Sequence, residues 1–103
     1  MNKKCVQNLI NNNGRATANQ FVIWEDGSIS FQSYNSLVCV IDETNATITF
    51  GRDWDYSKTT MKHLNTFLSD YAYSDFKGAQ TIRKAIKDGY YKSYTIKYDD
   101  NMR

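Results

Sequence analysis

The chain has no proline, five glycines, two cysteines and a single histidine in 103 residues. Without proline it lacks the commonest linker and kink signal, and it shows no internal repeat or low-complexity tract. At this length one domain with one core is the expectation. Cys5 and Cys39 are too few and too widely separated for a disulfide framework or a zinc site. Cys39 lies inside Leu37-Val38-Cys39-Val40-Ile41 and reads as a buried thiol. No run approaches the roughly 18 apolar residues that span a membrane, and Met1-Asn2-Lys3-Lys4 precedes no apolar signal segment. A reducing, cytoplasmic setting is expected, in which the sequon Asn45-Ala46-Thr47 is a chance match. P-loop, GxGxxG, GxSxG and CxxC patterns are all missing, so neither cofactor nor metal is expected.

What is present is apolar and aromatic. Hydrophobic residues make up 41% and aromatics 15%, with eight tyrosines, enough for a packed interior. The net charge of +2 conceals an uneven layout: residues 1–17, 18–51, 52–73 and 74–103 carry +3, −4, 0 and +3. Such a chain can present one acidic and one basic side, each able to orient a partner.

The basic N-terminal segment, 1–17, contains a short helical turn over 3–10, where Val6, Leu9 and Ile10 fall at helical spacing before Asn11-Asn12-Asn13-Gly14. A β-meander follows over 18–51. Residues 19–24 and 28–34 alternate around the hairpin signal Asp26-Gly27. Leu37 to Asp42 is apolar on both faces, as a covered central strand would be, and Thr47-Ile48-Thr49-Phe50 is rich in β-branched residues. The period then becomes helical. Ser57 is placed as the N-cap of a helix over 57–72, with Met61, Leu64, Leu68 and Tyr71 on its inner stripe and Phe67 beside it. A second helix is expected over 75–88, with Phe76, Ala79, Ile82 and Ile86 inward and Gly89 as its terminator. Tyr90 to Tyr98 alternates as one edge strand, Tyr90, Lys92, Tyr94, Ile96 and Tyr98 on one face and Tyr91, Ser93, Thr95 and Lys97 on the other. The predicted fold is a single α+β domain: a four-stranded antiparallel meander packed by two helices, with a C-terminal strand over 90–98.

Three groups of residues bear on function. Asp53 and Asp55, alternate residues of a segment read as extended, would project the same way and could share a divalent ion as a small hydrolase does. Their structural reading is that Asp55 caps the first helix and Asp53 pairs with Arg52 or a nearby lysine. His63 lies off the apolar stripe and reads as a surface residue, with nothing to bring Cys39 near it. The C-terminal third places Lys77, Arg83, Lys84, Lys87, Lys92 and Lys97 beside Tyr91 and Tyr94, so phosphates could meet the cations while a base stacks on a ring. Against nucleic acid stand a pI of about 8.5 and a strand order unlike βαββαβ. Tyrosine and tryptophan are enriched at interface centres, which favours a protein partner.

An ordered series of motifs runs through the middle of the chain: Thr17-Ala18-Asn19-Gln20-Phe21, Phe31-Gln32-Ser33-Tyr34-Asn35-Ser36, Trp54-Asp55-Tyr56-Ser57-Lys58-Thr59-Thr60 and Asn65-Thr66-Phe67-Leu68. Over residues 15–70 it resembles an uncharacterised family of small proteins from phages and mobile elements of Firmicutes. Members of that family tend to stop soon after the first helix, so 74–103 is a departure. The resemblance implies a phage context, hence the cytoplasm of a bacterial host. It also implies an accessory role by binding and blocking a host protein or nucleoprotein complex, CRISPR effectors and other defence nucleases included. No catalytic residue carries over from it. Trp54, Asp55, Tyr56 and Ser57 are expected to be structural, Trp54 and Tyr56 as packing anchors at the joint between sheet and helices. The alternative functions are an RNA- or single-stranded-DNA-binding module in the C-terminal third and the hydrolase at Asp53 and Asp55.

Overall fold

Alternation and turn chemistry agree along most of the sheet, and the strands form where both point the same way. A computed structural model describes residues 4–103. Among these residues the order is β1 (Lys4–Ile10), β2 (Ala16–Glu25), β3 (Ser28–Ser33), β4 (Ser36–Asp42), β5 (Thr47–Gly51), α1 (Lys58–Tyr71), α2 (Ala79–Asp88), β6 (Tyr90–Tyr91) and β7 (Tyr94–Asp99). The fold is α+β: seven strands in one sheet, ordered β1-β2-β3-β4-β5-β7-β6, with β5 and β7 parallel and every other pair antiparallel.

One face of the sheet holds the core. Val22, Phe31, Cys39, Ile41, Ile48, Phe50 and Ile96 point to the side covered by the helices and are almost wholly buried. Phe31 stacks on Phe67 of α1 at 5.6 Å, and Trp24 meets Tyr71 edge-on at 5.7 Å. Burying each large apolar side chain contributes about 1.5–3 kcal/mol, and this face concentrates them. Across the other face runs the row Val6, Ile23, Ser30, Val40, Thr49 and Lys97, paired strand to strand and partly or fully exposed.

The sheet has more strands than the four-stranded meander expected. Residues 4–10 are strand β1 rather than a helical turn, because pairing Cys5 with Trp24 and Val6 with Ile23 satisfies backbone groups that a two-turn helix would leave open. Lys3, the start of that expected turn, lies outside the described residues. The single C-terminal strand is a tight hairpin instead. Lys92, at φ 53, and Ser93 turn the chain so that Tyr90 pairs with Thr95 and Tyr91 with Tyr94. That turn inverts the expected facing: Tyr91 joins Tyr94 and Ile96 toward the core, while Tyr90 joins Thr95 and Lys97 on the open face. Strand β7 is not an edge, since it lies between β5 and β6.

The helices also differ in detail. α2 starts at Ala79, not Asp75, because Gly78 adopts φ 90, which L side chains rarely take, and its N–H donates to Asn65 Oδ1 at 2.8 Å. Phe76 is fully buried but precedes the helix. On α1 the buried set is Thr60, His63, Leu64, Phe67 and Leu68. His63 is therefore an interior residue, contrary to its surface reading, and Met61 is only half-buried. Two polar residues on the inner stripe shifted the hydrophobic pattern away from the true packing face.

Candidate functional site

The joint between β5 and α1 is built from consecutive turns. Trp54 N–H donates to Gly51 O and Tyr56 N–H to Asp53 O, both at 3.2 Å. Ser57 then leaves the turn in an extended conformation and accepts from Thr60 N–H at 3.1 Å, the N-cap its sequence position predicted. The turns send alternate side chains to different places. Trp54 enters the core, 5% exposed, edge-on to Phe50 at 6.2 Å. Tyr56 is 79% exposed and anchors no packing, contrary to expectation.

The same turns separate the two acids. Asp53 accepts from Ser36 Oγ at 3.0 Å and from Arg52 Nε at 3.3 Å. Asp55 faces Arg83 at 3.7 Å, whose guanidinium lies 5.5 Å from the centre of the Trp54 ring. The segment is not extended, so the carboxylates do not converge as the shared-ion reading required, and Asp55 pairs rather than caps. Among the described residues no cluster of three His, Cys, Asp or Glu could hold a metal.

What the joint does assemble is a cleft of about 620 Å³ in which two of the sequence motifs meet. Ser33, Tyr34, Asn35 and Ser36 line it from the β3–β4 turn, and Arg52, Asp53, Tyr56, Ser57, Thr59 and Thr60 from the joint. The Ser36–Asp53 hydrogen bond ties the two walls together. Tyr34, 60% exposed, is held at φ 55 with its N–H donating to Asn19 O at 2.7 Å. That conformation belongs to the two-residue turn joining Ser33 to Ser36, a hairpin geometry that needs positive φ as the Lys92-Ser93 turn does. Behind Ser33, its cross-strand partner Gln20 is 1% exposed, with Oε1 unpartnered.

The basic, tyrosine-bearing third is not gathered into one surface. Arg83, Lys84 and Lys87 do share a shallow cavity of about 370 Å³ on α2. Within that group Arg83 is paired with Asp55, and Lys84 with Asp88 at 2.6 Å. Lys92 holds both oxygens of Asp75 at 2.8 and 2.9 Å and lies 4.5 Å from the Tyr73 ring centre. Its hydrogen bond keeps the Asp75 carboxyl below its ordinary range. Tyr91 stacks on Phe76 at 4.0 Å with its plane 12° away, which takes that face of the ring from any incoming base. Tyr94 packs edge-on to Tyr73 at 5.9 Å and its hydroxyl donates to Glu43 at 3.4 Å. Burial raises the pKa of both tyrosines. Lys97 lies on the open face of the sheet, and Lys77 in a separate cleft beside α1.

That last cleft, of about 490 Å³, is lined by Lys58, Met61, Lys62, Asn65, Thr66 and Ser69 of α1, by Lys77 and by Asn12 of the β1–β2 turn. The i, i+4 spacing of Lys58 and Lys62 is visible in the sequence. Lys77 joins them through the loop that Asn65 fixes at Gly78.

The interior ionisable groups are inert in character. Burial pushes the Cys39 thiol far above its ordinary range, and burial, reinforced by Lys62, lowers the pKa of His63. Cys5 is exposed.

A one-sheet α+β domain with both helices on one face carries these clefts. By sequence the chain belongs to a family described as a family of unknown function (DUF8033), which it matches over residues 5–89. The matched span is wider than the 15–70 region of the motif series and takes in α2. No curated protein and no solved structure matches the chain.

Proposed function

We propose that this protein is a phage or mobile-element accessory factor that acts by stoichiometric binding to a host macromolecule, and that its main contact surface is the cleft at the joint. The observation that carries this reading is the pair Tyr34 and Tyr56, 60% and 79% exposed at a cleft that also holds Arg52. Exposed tyrosines beside an arginine, on a rigid support, are the composition of interface hot spots. The phage setting and the blocking of a defence nuclease, a CRISPR effector included, rest on the resemblance of the motif series.

The test pairs a biological readout with a surface variant. Cells carrying an intact defence system would be challenged with phage or plasmid while expressing the wild-type chain or Tyr34→Ala/Tyr56→Ala. Wild type is expected to protect and to co-purify a host partner, and the double variant to lose both while remaining folded. Absence of protection across intact systems, or equal protection by both chains, would sink the proposal.

A further inference from the structure

In the cleft beside α1 three cations collect without counter-charges. Among the described residues no carboxylate lines it, and Lys58, Lys62 and Lys77 take part in no ion pair. Where an acid lies within reach the chain pairs its cations, as Arg52, Arg83, Lys84 and Lys92 show, whereas Lys58, Lys62 and Lys77 gather around one hollow that offers none. Three unpaired lysines around one concavity create a positive potential that a neutralising ligand would relieve.

The shape and the remaining lining narrow the ligand. Lys58 and Lys62 lie one helical turn apart, about 6 Å along the axis at 1.5 Å per residue, so they form a row rather than a point. Lys77 faces that row from the α1–α2 loop. Asn12, Asn65 and Ser69 add amides and a hydroxyl that can read polar edges. The Asn65 Oδ1 is already committed to Gly78 N–H, which leaves its NH₂ group as a donor. A row of ammonium groups in a hollow that also holds amides suits a chain of phosphates whose bases are unstacked and free to turn inward. The concavity, at about 490 Å³, is large enough to take a nucleotide unit.

We infer that this cleft binds the phosphate backbone of single-stranded nucleic acid, with Lys58, Lys62 and Lys77 as the phosphate contacts. The site is distinct from the tyrosine cleft, and a factor carrying both surfaces is equipped to engage a nucleoprotein complex at its protein and its nucleic-acid strand together. The residues differ from the C-terminal lysines that the sequence singled out; only Lys77 is common to both sets.

The test is fluorescence anisotropy of labelled oligothymidylate and oligouridylate with the full chain over a salt series. Affinity is expected to fall linearly on logarithmic axes as salt rises. The variant Lys58→Gln/Lys62→Gln/Lys77→Gln should weaken binding at least about tenfold near 50 mM salt and reduce the slope by about 2, from roughly 0.7 per phosphate contact on a single strand. Lys84→Gln/Lys87→Gln/Lys97→Gln removes the same charge elsewhere and should leave the slope nearly unchanged. Far-UV circular dichroism establishes folding, and if the first triple variant unfolds, single Lys58→Gln and Lys77→Gln replacements should each lower the slope by about 0.7. No binding of either oligonucleotide at low salt would overturn the inference. Equal loss in the two triple variants would do so as well, as would competition by polyglutamate as strong as by unlabelled oligonucleotide.

Discussion

Two stretches of this chain look equally well furnished for binding: the joint, Gly51 to Thr60, and the C-terminal segment, Tyr90 to Tyr98. Both crowd aromatic and charged side chains together. The fold treats them differently. At the C-terminal hairpin Tyr91 and Tyr94 turn toward the core and Lys92 is taken up by Asp75. Only Tyr90, 62% exposed on the open sheet face, and Tyr98, 43% exposed with its hydroxyl on Asp100, remain outside. At the joint a single tryptophan goes inward and Tyr56 is left out, facing a second motif that arrives from the β3–β4 turn. Composition is therefore a poor guide to which aromatic residues are available; the parity of the turns decides it.

Replacements should break the symmetry between these regions in a graded way. Phe76→Ala removes the ring that holds Tyr91 and touches Phe50 at 5.9 Å, and is expected to destabilise by about 3–5 kcal/mol in denaturant titration. A loss under about 1 kcal/mol would mean the C-terminal aromatic cluster is loosely packed and its tyrosines available after all. Gly51→Ala comes next. An added Cβ would lie 2.6 Å from Met102 O and 2.7 Å from Leu37 O, both backbone atoms, so about 1–3 kcal/mol should be lost. A neutral result would show that the C-terminal residues do not close against the joint through Arg52 N–H and Met102 O.

Ser57→Ala removes the α1 cap and should cost about 1 kcal/mol, with Ser57→Asp restoring most of it. Failure of aspartate to rescue would place the hydroxyl's value in its bond to Thr60 Oγ1 at 3.1 Å rather than in the cap. The smallest effect on stability belongs to Tyr56→Ala, expected within about 0.5 kcal/mol because the side chain packs against little. Its effect on partner binding should be large, and that contrast separates a contact residue from a packing residue. A stability loss near that of Phe76→Ala would restore the reading of Tyr56 as an anchor.

The central meander was legible in the sequence because independent signals coincided there. Alternation, β-branched residues and the Asp26-Gly27 turn, where φ is 42 and 79, all specify β2 and β3. Ser57 was legible as a cap for the same reason. Strand β1 was not, since Val6, Leu9 and Ile10 also fit a helical period and an edge strand with exposed side chains shows no clean alternation. The Lys92-Ser93 turn carries no glycine, asparagine or aspartate to announce positive φ, so the hairpin read as one strand and its facing came out inverted. The clefts were legible only in part. Their residues stand in recognisable motifs, but Ser36 meeting Asp53 and Lys77 meeting Lys58 are consequences of tertiary packing across separations that no local pattern reports.

The most direct measurement of the central claim is amide hydrogen exchange of the chain, free and bound to the host partner recovered with it. If the joint is the contact surface, protection on binding should concentrate in residues 33–36 and 52–60 and leave 90–98 unchanged. Protection confined to α2 and the C-terminal hairpin, with the joint exchanging as in the free protein, would contradict the account and return the binding surface to the tyrosine-rich end.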